Sequence, residues 1–455
     1  MAKSSYSVYL FFENYDFPAK YVYSFFKIDV QLENSNPNPN HPNPTAIDPP
    51  IFEFPADEYP FGMGCAQLVG GGSKFYFCGG VFSHSPSLLK QPNPQLKPMQ
   101  LLNHVFPPYI YTLDTAAAHP KLRKMGGKMK TGKPDPIVFA ANAKIYVLSA
   151  FGEVKGQLFS WFHKHKGCHL DNEGGLNRLV KLFECYDPVE DKWKALPDSP
   201  LRQLSRLLGY LLLDGQQKMV LTAWSFGGYS HFLYDLNQDT WLYELNKDTC
   251  ISYSMLPSVN NWVSHHVGGF CYGIGQFASS RPHKLGPFLL EKPSQEDDQP
   301  QVSLSTISLV DPQDTLYVAH NFDSTSMLQH LGNTSFLFVS SAHGYINNDI
   351  ESQDPYTHNV FVTIFKDVDA DANLSSFKSK IIFSRKFVSK TDYDCLRKLR
   401  GCFHTPTSPV RVQLSKIGDS APQSWSSPTV ALLLAAGNQG ADNEEHLKHP
   451  KQEET

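Results

Sequence analysis

The chain has 455 residues with a formal net charge of −4, and 13% of its residues are aromatic. A charge this small gives no general attraction to nucleic acid or to an anionic membrane, so we expect neither as a partner. The longest aliphatic run covers only residues 430–436, which is far too short to cross a bilayer. With 30 Gly and 33 Pro, the composition favours many short β-strands separated by turns.

Two apolar runs at the start of the chain, SVYLFFE (7–13) and YVYSFFKID (21–29), predict neighbouring β-strands. A sheet begun by these strands needs further strands to complete it. We expect residues 410–416 or 429–436, from the other end of the chain, to supply one. The Asn- and Pro-rich residues 34–44 suit neither a strand nor a helix and predict a solvated connection.

Cysteine usage and the N-terminal residues both bear on the cellular location. The eight cysteines are scattered without a CxxC pair, which predicts free, buried thiols rather than disulfides. The first residues also lack the pattern of a signal peptide. We therefore expect a cytoplasmic protein, a nuclear protein, or one found in both compartments.

Two apolar runs end in glycine pairs. FYFC is followed by Gly79 and Gly80, and MVLTAWSF is followed by Gly227 and Gly228. Glycine is favoured where two backbones approach closely or where φ is positive. We interpret these glycines as structural positions at the ends of strands.

Two stretches, LFECYDPVEDKW and HFLYDLNQDTW, share Tyr-Asp, a set of turn-forming residues and then Trp, 48 residues apart. Each predicts a β-hairpin, and because one hairpin is marginal in water, a recurring hairpin indicates a repeat array. We assign the Tyr and Trp side chains to packing and the Asp side chains to backbone hydrogen bonds in the turns. The residues are Tyr186, Asp187 and Trp193 in the first stretch and Tyr234, Asp235 and Trp241 in the second.

With these hairpins, the glycine pairs and a unit of about 50 residues, the chain resembles the kelch-repeat family. The phrase YDPVEDKWKALPDSP is especially similar to plant kelch proteins. The resemblance implies an all-β fold, a closed β-propeller of four-stranded kelch-type blades. We predict six blades, with seven as the alternative count, within residues 1–436, followed by a disordered polar tail at 437–455. The expected blades cover 61–133, 136–200, 204–255, 259–310 and 315–385, and the terminal strands form another.

Two long inserts, 81–108 and 153–180, are predicted to join the second and third strands of adjacent blades. Loops on a rigid scaffold often carry recognition, so we predict a protein-binding rim there. The alternative is that long loops vary in length at little cost. The predicted binding residues are Leu101, Leu102, Phe106, Trp161 and Phe162.

The second insert also contains HKHKGCH. His163, His165, Cys168 and His169 are four zinc-type ligands, but they crowd into one short segment, and a solvated His-rich loop is the alternative. We predict no cofactor. Residues 121–133 hold six basic residues and no acid, and we expect an exposed outer strand there. A nuclear address or a phosphate-binding patch is the alternative.

The resemblance to kelch proteins leaves several functions open. Galactose oxidase, a copper enzyme, is secreted, and the plant specifier proteins use a Glu-x3-Asp-x3-His pattern that lacks its His here. No F-box precedes the first predicted strand. We predict a monomeric, non-catalytic protein-interaction module with an unknown protein partner. The alternatives are a substrate adaptor of a ubiquitin ligase without its own F-box, and a small-molecule lyase or isomerase using the propeller channel.

Overall fold

A computed structural model describes residues 5–16, 20–32, 45–55, 58–68, 72–82, 98–149, 181–197, 206–213, 217–225, 228–245, 262–267, 270–275, 284–291, 303–306, 325–332, 335–343, 357–367, 379–390 and 395–406. The chain divides into two compact units, Met1–Ser408 and Pro409–Thr455. All the described residues belong to the first unit. The tail predicted at 437–455 lies outside the described residues.

The described residues are almost entirely β-strand, as the composition predicts. The first strands are β1 Ser5–Asp16, β2 Lys20–Gln31, β3 Thr45–Ala46, β4 Phe52–Pro55, β5 Gly64–Gln67 and β6 Lys74–Cys78. Helix α1 Pro98–Val105 is followed by β7 Tyr109–Asp114, β8 Arg123–Lys128, β9 Ile137–Ala141, β10 Lys144–Leu148, β11 Phe183–Asp187, β12 Lys192–Ala195 and β13 Arg206–Leu213. Next come β14 Lys218–Ser225, β15 Gly228–Asp235, β16 Thr240–Leu245, β17 Trp262–Val267, β18 Phe270–Gly275 and β19 Lys284–Glu291. The last are β20 Ser303–Thr306, β21 Thr325–Gly332, β22 Ser335–His343, β23 Thr357–Asp367, β24 Ser379–Lys390 and β25 Cys395–Pro406.

The described strands form five sheets, which we number in chain order. The first sheet has the order β25-β1-β2-β4, the second β5-β6-β7-β8 and the third β12-β11-β10-β9. The fourth contains eight strands, β13 to β20, and the fifth contains β21 to β24 with the short β3 on its outer edge. Apart from two parallel contacts, β13 with β17 and β24 with β3, every strand pair is antiparallel. Antiparallel pairing follows from the short turns that link successive strands.

Apolar side chains on both faces of these sheets form the core. One cluster joins the first and fifth sheets, a second joins the first and second, a third joins the second and third, and a fourth joins the third and fourth. Each fully buried aromatic ring contributes about 2 kcal/mol through the area that it removes from water. The ring pairs across these contacts are Phe12 with His358, Phe11 with Phe77, Tyr76 with Tyr186, and Phe183 with Tyr234. Four-stranded antiparallel sheets packed face to face in succession are the architecture of a β-propeller.

The predicted number of blades is wrong. The strands expected to form the third and fourth blades belong to one eight-stranded sheet, so the described strands form five sheets and not six or seven. The two runs of four strands merge because Gly209–Leu212 pair in parallel with Trp262–His265. Nothing in the local pattern of either run predicts this long-range contact.

The strand that completes the N-terminal sheet is also different from the predicted ones. β25 pairs with β1 along its length, from Tyr6 opposite Pro406 to Asp16 opposite Cys395. The expected segments, 410–416 and 429–436, lie outside the described residues. The sequence of β25, CLRKLRGCFHTP, alternates irregularly, and its register with β1 shifts at Arg400, because Phe11 lies opposite Gly401 while Phe12 lies opposite Leu399.

Candidate binding face at the bases of two inserts

Both long inserts join the strands that the sequence predicts. The first insert joins β6 to β7, the second and third strands of the second sheet. The second insert joins β10 to β11, which hold the equivalent positions in the third sheet. We call this end of the two sheets the insert edge. Residues 83–97 and 150–180 lie outside the described residues.

The glycine pair at the start of the first insert is required by the backbone. Gly79 and Gly80 have φ values of 73° and 91°, in the region that favours glycine. A Cβ at Gly79 would lie 2.5 Å from the carbonyl oxygen of Lys133, and one at Gly80 would lie 2.5 Å from that of Phe61. The prediction of positive φ and close backbone approach is therefore confirmed at this pair. Gly228 begins β15, and Gly227 lies outside the described residues.

The connection between β8 and β9, residues 129–136, contacts the base of the first insert at three points. We call this connection the brace. Its Lys133 carbonyl accepts a hydrogen bond from the Gly80 amide at 2.8 Å, and the Met129 amide donates to the Pro108 carbonyl at 2.8 Å. The Gly132 amide donates to Oδ1 of Asn103 on α1 at 3.3 Å. The brace thus holds the start, the helix and the end of this insert.

The same brace contacts both ends of the second insert. The Lys181 amide donates to Oγ1 of Thr131 at 3.1 Å, after the insert. Before the insert, Ser149 Oγ donates to the Pro134 carbonyl at 2.5 Å. A single connection of eight residues (129–136) therefore fixes the bases of two inserts that are far apart in the chain.

A buried ion pair lies at the centre of the brace. Lys133 Nζ lies 2.5 Å from Glu184 Oε1, and both side chains are fully buried. Glu184 also accepts hydrogen bonds from the amides of Lys130 at 2.8 Å and Thr131 at 3.3 Å, and Lys133 donates to the Thr131 carbonyl at 3.0 Å. Because a buried charge is costly unless it is paired and hydrogen-bonded, these contacts stabilise one conformation of the brace.

Sequence reasoning missed Glu184, although the repeat contains a signal. Glu184 lies two residues before Tyr186, and the residue at the same place in the next hairpin, two before Tyr234, is Phe232. Phe232 packs in the core between the third and fourth sheets. A Glu at a position where the repeat has a core aromatic indicates a buried partner, which is Lys133.

A second cluster of charges connects the brace to the first sheet. Arg400 on β25 donates through Nε to Glu13 Oε2 at 2.7 Å and through a terminal nitrogen to Asp135 at 2.6 Å. Glu13 also accepts from the Gly62 amide at 2.7 Å, and Tyr23 Oη donates to the Pro60 carbonyl at 2.6 Å. Burial lowers the pKa of Arg400, but the carboxylates of Glu13 and Asp135 raise it by more than burial lowers it. The pKa of Arg400 is therefore raised overall. The guanidinium therefore stays charged.

The predicted binding residues have different positions. Leu101 and Leu102 lie on α1, and nothing is described of their side chains. Phe106 is only 2% exposed, and its carbonyl lies against Gly132, so the prediction that it binds a partner is wrong. It packs the insert onto the brace. Trp161 and Phe162, with the weaker zinc candidates His163, His165, Cys168 and His169, lie outside the described residues.

The residues assigned to packing behave as predicted in the two hairpins. Tyr186 lies opposite Trp193 with ring centroids 5.2 Å apart, and Tyr234 lies opposite Trp241 with centroids 4.8 Å apart. The turn carboxylates bind local backbone. Asp187 accepts from the amides of Val189 and Glu190, and Asp235 accepts from those of Asn237 and Gln238.

The basic run also lies where the sequence predicts, with one exception. β8 is the outermost strand of the second sheet, and Lys121, Arg123, Lys124, Lys128 and Lys130 are exposed. Lys133 is fully buried, so the prediction of an exposed basic edge is wrong for this residue. The reason is its ion pair with Glu184.

The other polar groups of the described residues do not form a catalytic or metal site. Within the described ranges, no group of three or more His, Cys, Asp or Glu side chains is placed to hold a metal ion. Ser341 Oγ and His358 Nε2 lie 3.0 Å apart, but both side chains are buried beside Phe12, where no substrate reaches them. No helix of the described part of the chain has the length and apolar character needed to cross a membrane.

Comparison with known proteins gives likeness in fold only. No protein family matches the chain, and no curated protein matches its sequence. Kuenenia stuttgartiensis hydrazine synthase is 8% identical with a TM-score of 0.31, over 71% of this chain and 65% of that chain, so this chain spans less than two thirds of it. The Dos1 propeller is 10% identical with a TM-score of 0.31, over 82% of this chain and 68% of that chain. The Pseudomonas aeruginosa periplasmic gluconolactonase is 7% identical with a TM-score of 0.34, over 86% and 99%.

At these TM-scores the likeness carries no argument about function. The assignment as a β-propeller rests on the strand order and packing of the sheets in this chain. The class of protein that these sheets define is an all-β propeller with an elaborated insert edge.

Proposed function

We propose that this protein is a non-catalytic protein-interaction module, and that the insert edge of the second and third sheets is its binding face. The observation that supports this most is the brace, which contacts the bases of both inserts. Binding loops gain affinity when their scaffold holds them in one arrangement before the partner arrives. A buried ion pair is a poor source of stability by itself. We therefore infer that the pair serves to hold the brace, and with it the bases of both inserts, in one conformation.

The exposed groups at this edge suit contact with a protein. α1 presents Gln100 and His104 to solvent, and the brace presents Lys130 and Asp135. The same elements bury Val105 and Phe106 against the sheets. Polar groups of this kind form the solvent-accessible rim that surrounds the core of a protein interface.

We extend the proposal to the finer assignments that the sequence suggests. The sheets are kelch-type blades, a proposal supported by the Tyr–Trp pair and the Asp turn that two hairpins share, and the protein is of the plant kelch type without an F-box. Four described thiols, Cys65, Cys78, Cys185 and Cys402, are free and buried. Free thiols are typical of reducing compartments, which supports a cytoplasmic or nuclear location.

The experiment shortens each insert and measures what the protein captures in cells. Residues 83–97 and 151–180 are replaced, separately, by short Gly-Ser linkers. The matched control shortens residues 292–302, which join β19 to β20, a connection between strands of another sheet. Partners are identified by crosslinking and mass spectrometry, and thermal unfolding of each variant checks that the sheets remain folded.

We expect each insert variant to lose a set of partners that the control variant keeps. Capture that is unchanged in both insert variants would contradict the binding face. Ubiquitin-ligase subunits among the lost partners would favour the adaptor function. Turnover of a small molecule that survives both changes would favour a lyase or isomerase acting elsewhere in the molecule.

A further inference from the structure

The run that ends in the brace carries a concentration of positive charge. Five exposed basic side chains occur within residues 121–130, and no acidic residue interrupts them. They lie on or beside β8, at the outer edge of the second sheet. We call this run the basic strand surface; its exposed residues are Lys121, Arg123, Lys124, Lys128 and Lys130.

The lysines of this surface have no carboxylate partners among the described residues. The next outer strand, β12, shows the contrasting case, because Lys192 pairs with Glu190 at 3.5 Å and Lys194 pairs with Asp239 at 2.5 Å. Two carboxylates lie near the basic strand surface: Asp114 interacts with Arg123, and Asp191 of the next sheet lies beside Gly126 and Gly127 without pairing with a lysine of this surface. Four lysines therefore keep their charge available for an outside group.

Two of these lysines are arranged around an aromatic ring. Lys124 Nζ lies 3.1 Å from the centre of the Tyr109 ring, and Tyr109 is the cross-strand neighbour of Lys128. Between the two lysines, Gly126 is exposed and has no side chain, and the neighbouring Asp191 carboxylate accepts a hydrogen bond from Tyr186. A cation held against an aromatic face loses less freedom when it binds an anion than a freely moving lysine does.

Edge protection alone does not account for this number of lysines. Lysine on an outer strand discourages pairing with another sheet. β12 has two lysines, both paired, while the outer strand β16 (TWLYEL) and the outer strand β20 (SLST) have none. β8 also has a bulge opposite Tyr109 to Tyr111. A bulge by itself makes it harder for a strand of another protein to pair with the outer edge of β8.

We propose that the basic strand surface docks an acidic, Asp- or Glu-rich segment of a partner protein. Charge complementarity to the four lysines identifies the occupant, and it steers the encounter as well as holding the segment. A protein segment fits better than nucleic acid for two reasons. The whole chain carries a net charge of −4, which gives no general attraction to a long nucleic acid beyond this surface. The aromatic ring at the site is covered by Lys124, so it is not free to stack on a base.

The test measures binding of a fluorescently labelled peptide of alternating Glu and Thr to the full chain, by anisotropy. Lys124→Gln/Lys128→Gln removes the two lysines beside Tyr109. Lys74→Gln/Lys192→Gln is the matched control, since it removes two exposed charges outside this surface, one from the second sheet and one from the third. A single-stranded oligonucleotide of equal charge is measured with each protein, and thermal unfolding confirms that both variants are folded.

We expect the first variant to bind the peptide about tenfold more weakly, and the control to change by less than about twofold. Peptide binding by the native chain should also weaken as salt is added. Equal losses in the two variants, or no binding by the native chain, would overturn the proposal. An oligonucleotide that binds more tightly than the peptide and depends on the same two lysines would replace the protein segment with nucleic acid.

Discussion

Lys133 and Glu184 form an ion pair in which neither side chain is exposed, 2.5 Å apart at the junction of the second and third sheets. Lys133 belongs to the connection between β8 and β9, and Glu184 to the strand that follows the second insert. The pair therefore joins two segments that the second insert separates in the chain. The ion pair stabilises one conformation of the brace, and the brace contacts the bases of both inserts.

Breaking this pair on one side should be costly. Glu184→Gln leaves Lys133 charged and buried without a counter-ion, and we expect it to lower the free energy of unfolding by about 3 kcal/mol. Gln has one acceptor oxygen and can keep only one of the two amide hydrogen bonds, from Lys130 or Thr131, so adding Lys133→Met should restore part of this loss. Chemical denaturation measures both. The control, Lys192→Gln at the exposed pair with Glu190, should cost less than about 1 kcal/mol. A double variant no more stable than Glu184→Gln would contradict the assignment.

Gly132 should tolerate no side chain. A Cβ at this position would overlap the carbonyl oxygen of Phe106, so Gly132→Ala must displace the end of the first insert. We expect a loss of about 1–3 kcal/mol, the usual cost of overpacking. Hydrogen exchange should rise in residues 98–108 before it rises elsewhere. Gly126→Ala is the control, because its Cβ would meet only the flexible carboxylate of Asp191. Equal effects of the two substitutions would show that the brace does not hold the insert.

The two repeated hairpins allow a matched comparison of one hydrogen bond. Tyr186 Oη donates to Asp191 at 2.7 Å, whereas Tyr234 Oη donates to Asp239 at 3.4 Å. Because the shorter bond to a carboxylate is the stronger one, we expect Tyr186→Phe to cost about 1.5 kcal/mol. Tyr234→Phe should cost less than about 0.5 kcal/mol, since a bond of that length contributes little. Urea unfolding of the two variants checks the order, and a larger loss for Tyr234→Phe would refute it.

His404 should make the fold sensitive to mild acid. Burial, and then the neighbouring His330, lowers the pKa of His404 from 6.5 to about 4. The unfolded chain therefore takes up a proton at a higher pH than the folded protein, so stability falls as the pH drops from about 6.5 to about 4. The full loss from this residue is about 3 kcal/mol. His404→Phe keeps a ring beside Tyr6 and should flatten the stability curve in this range. If His404→Phe leaves the slope of unfolding free energy against pH unchanged, groups other than His404 cause the sensitivity to acid.

The described thiols should be unreactive while the protein is folded. Burial raises the pKa of Cys65, Cys78 and Cys402, and that of Cys185 to about 11. Because the thiolate is the reactive form, iodoacetamide at about pH 8 should leave these residues unmodified in the native protein. Mass spectrometry of digested peptides measures each site, and the urea-unfolded chain provides the control in which all four react. Rapid labelling of Cys185 in the native protein would contradict its burial.

Local sequence patterns predicted the parts of the structure that depend on local interactions. The Tyr186 and Tyr234 hairpins, the Asp turns and the positive φ of Gly79 and Gly80 follow from side-chain alternation and turn chemistry. The positions of both inserts followed from the same repeat, since each insert interrupts a known order of strands. Phe106 was assigned wrongly because an apolar residue in a loop has no pattern that separates a binding side chain from a packing one.

The pairing of distant segments was not predictable. Arg400 and Glu13 are 387 positions apart, and no pattern near either residue identifies the other. The parallel contact of β13 with β17 likewise merged two predicted blades into one sheet. Each of these contacts depends on the relative positions of whole sheets, which short-range periodicity does not contain.

For this protein the amino-acid sequence alone determined the all-β class, the repeated hairpin and the places where the repeat is interrupted. These features arise from alternation and turn chemistry within a few residues. Only the tertiary structure decided which strand completes the first sheet, which buried charges face each other, and that one connection supports both inserts. Those outcomes depend on burial, because the partner of a buried charge is chosen by the packing of sheets around it and not by its neighbours in the chain.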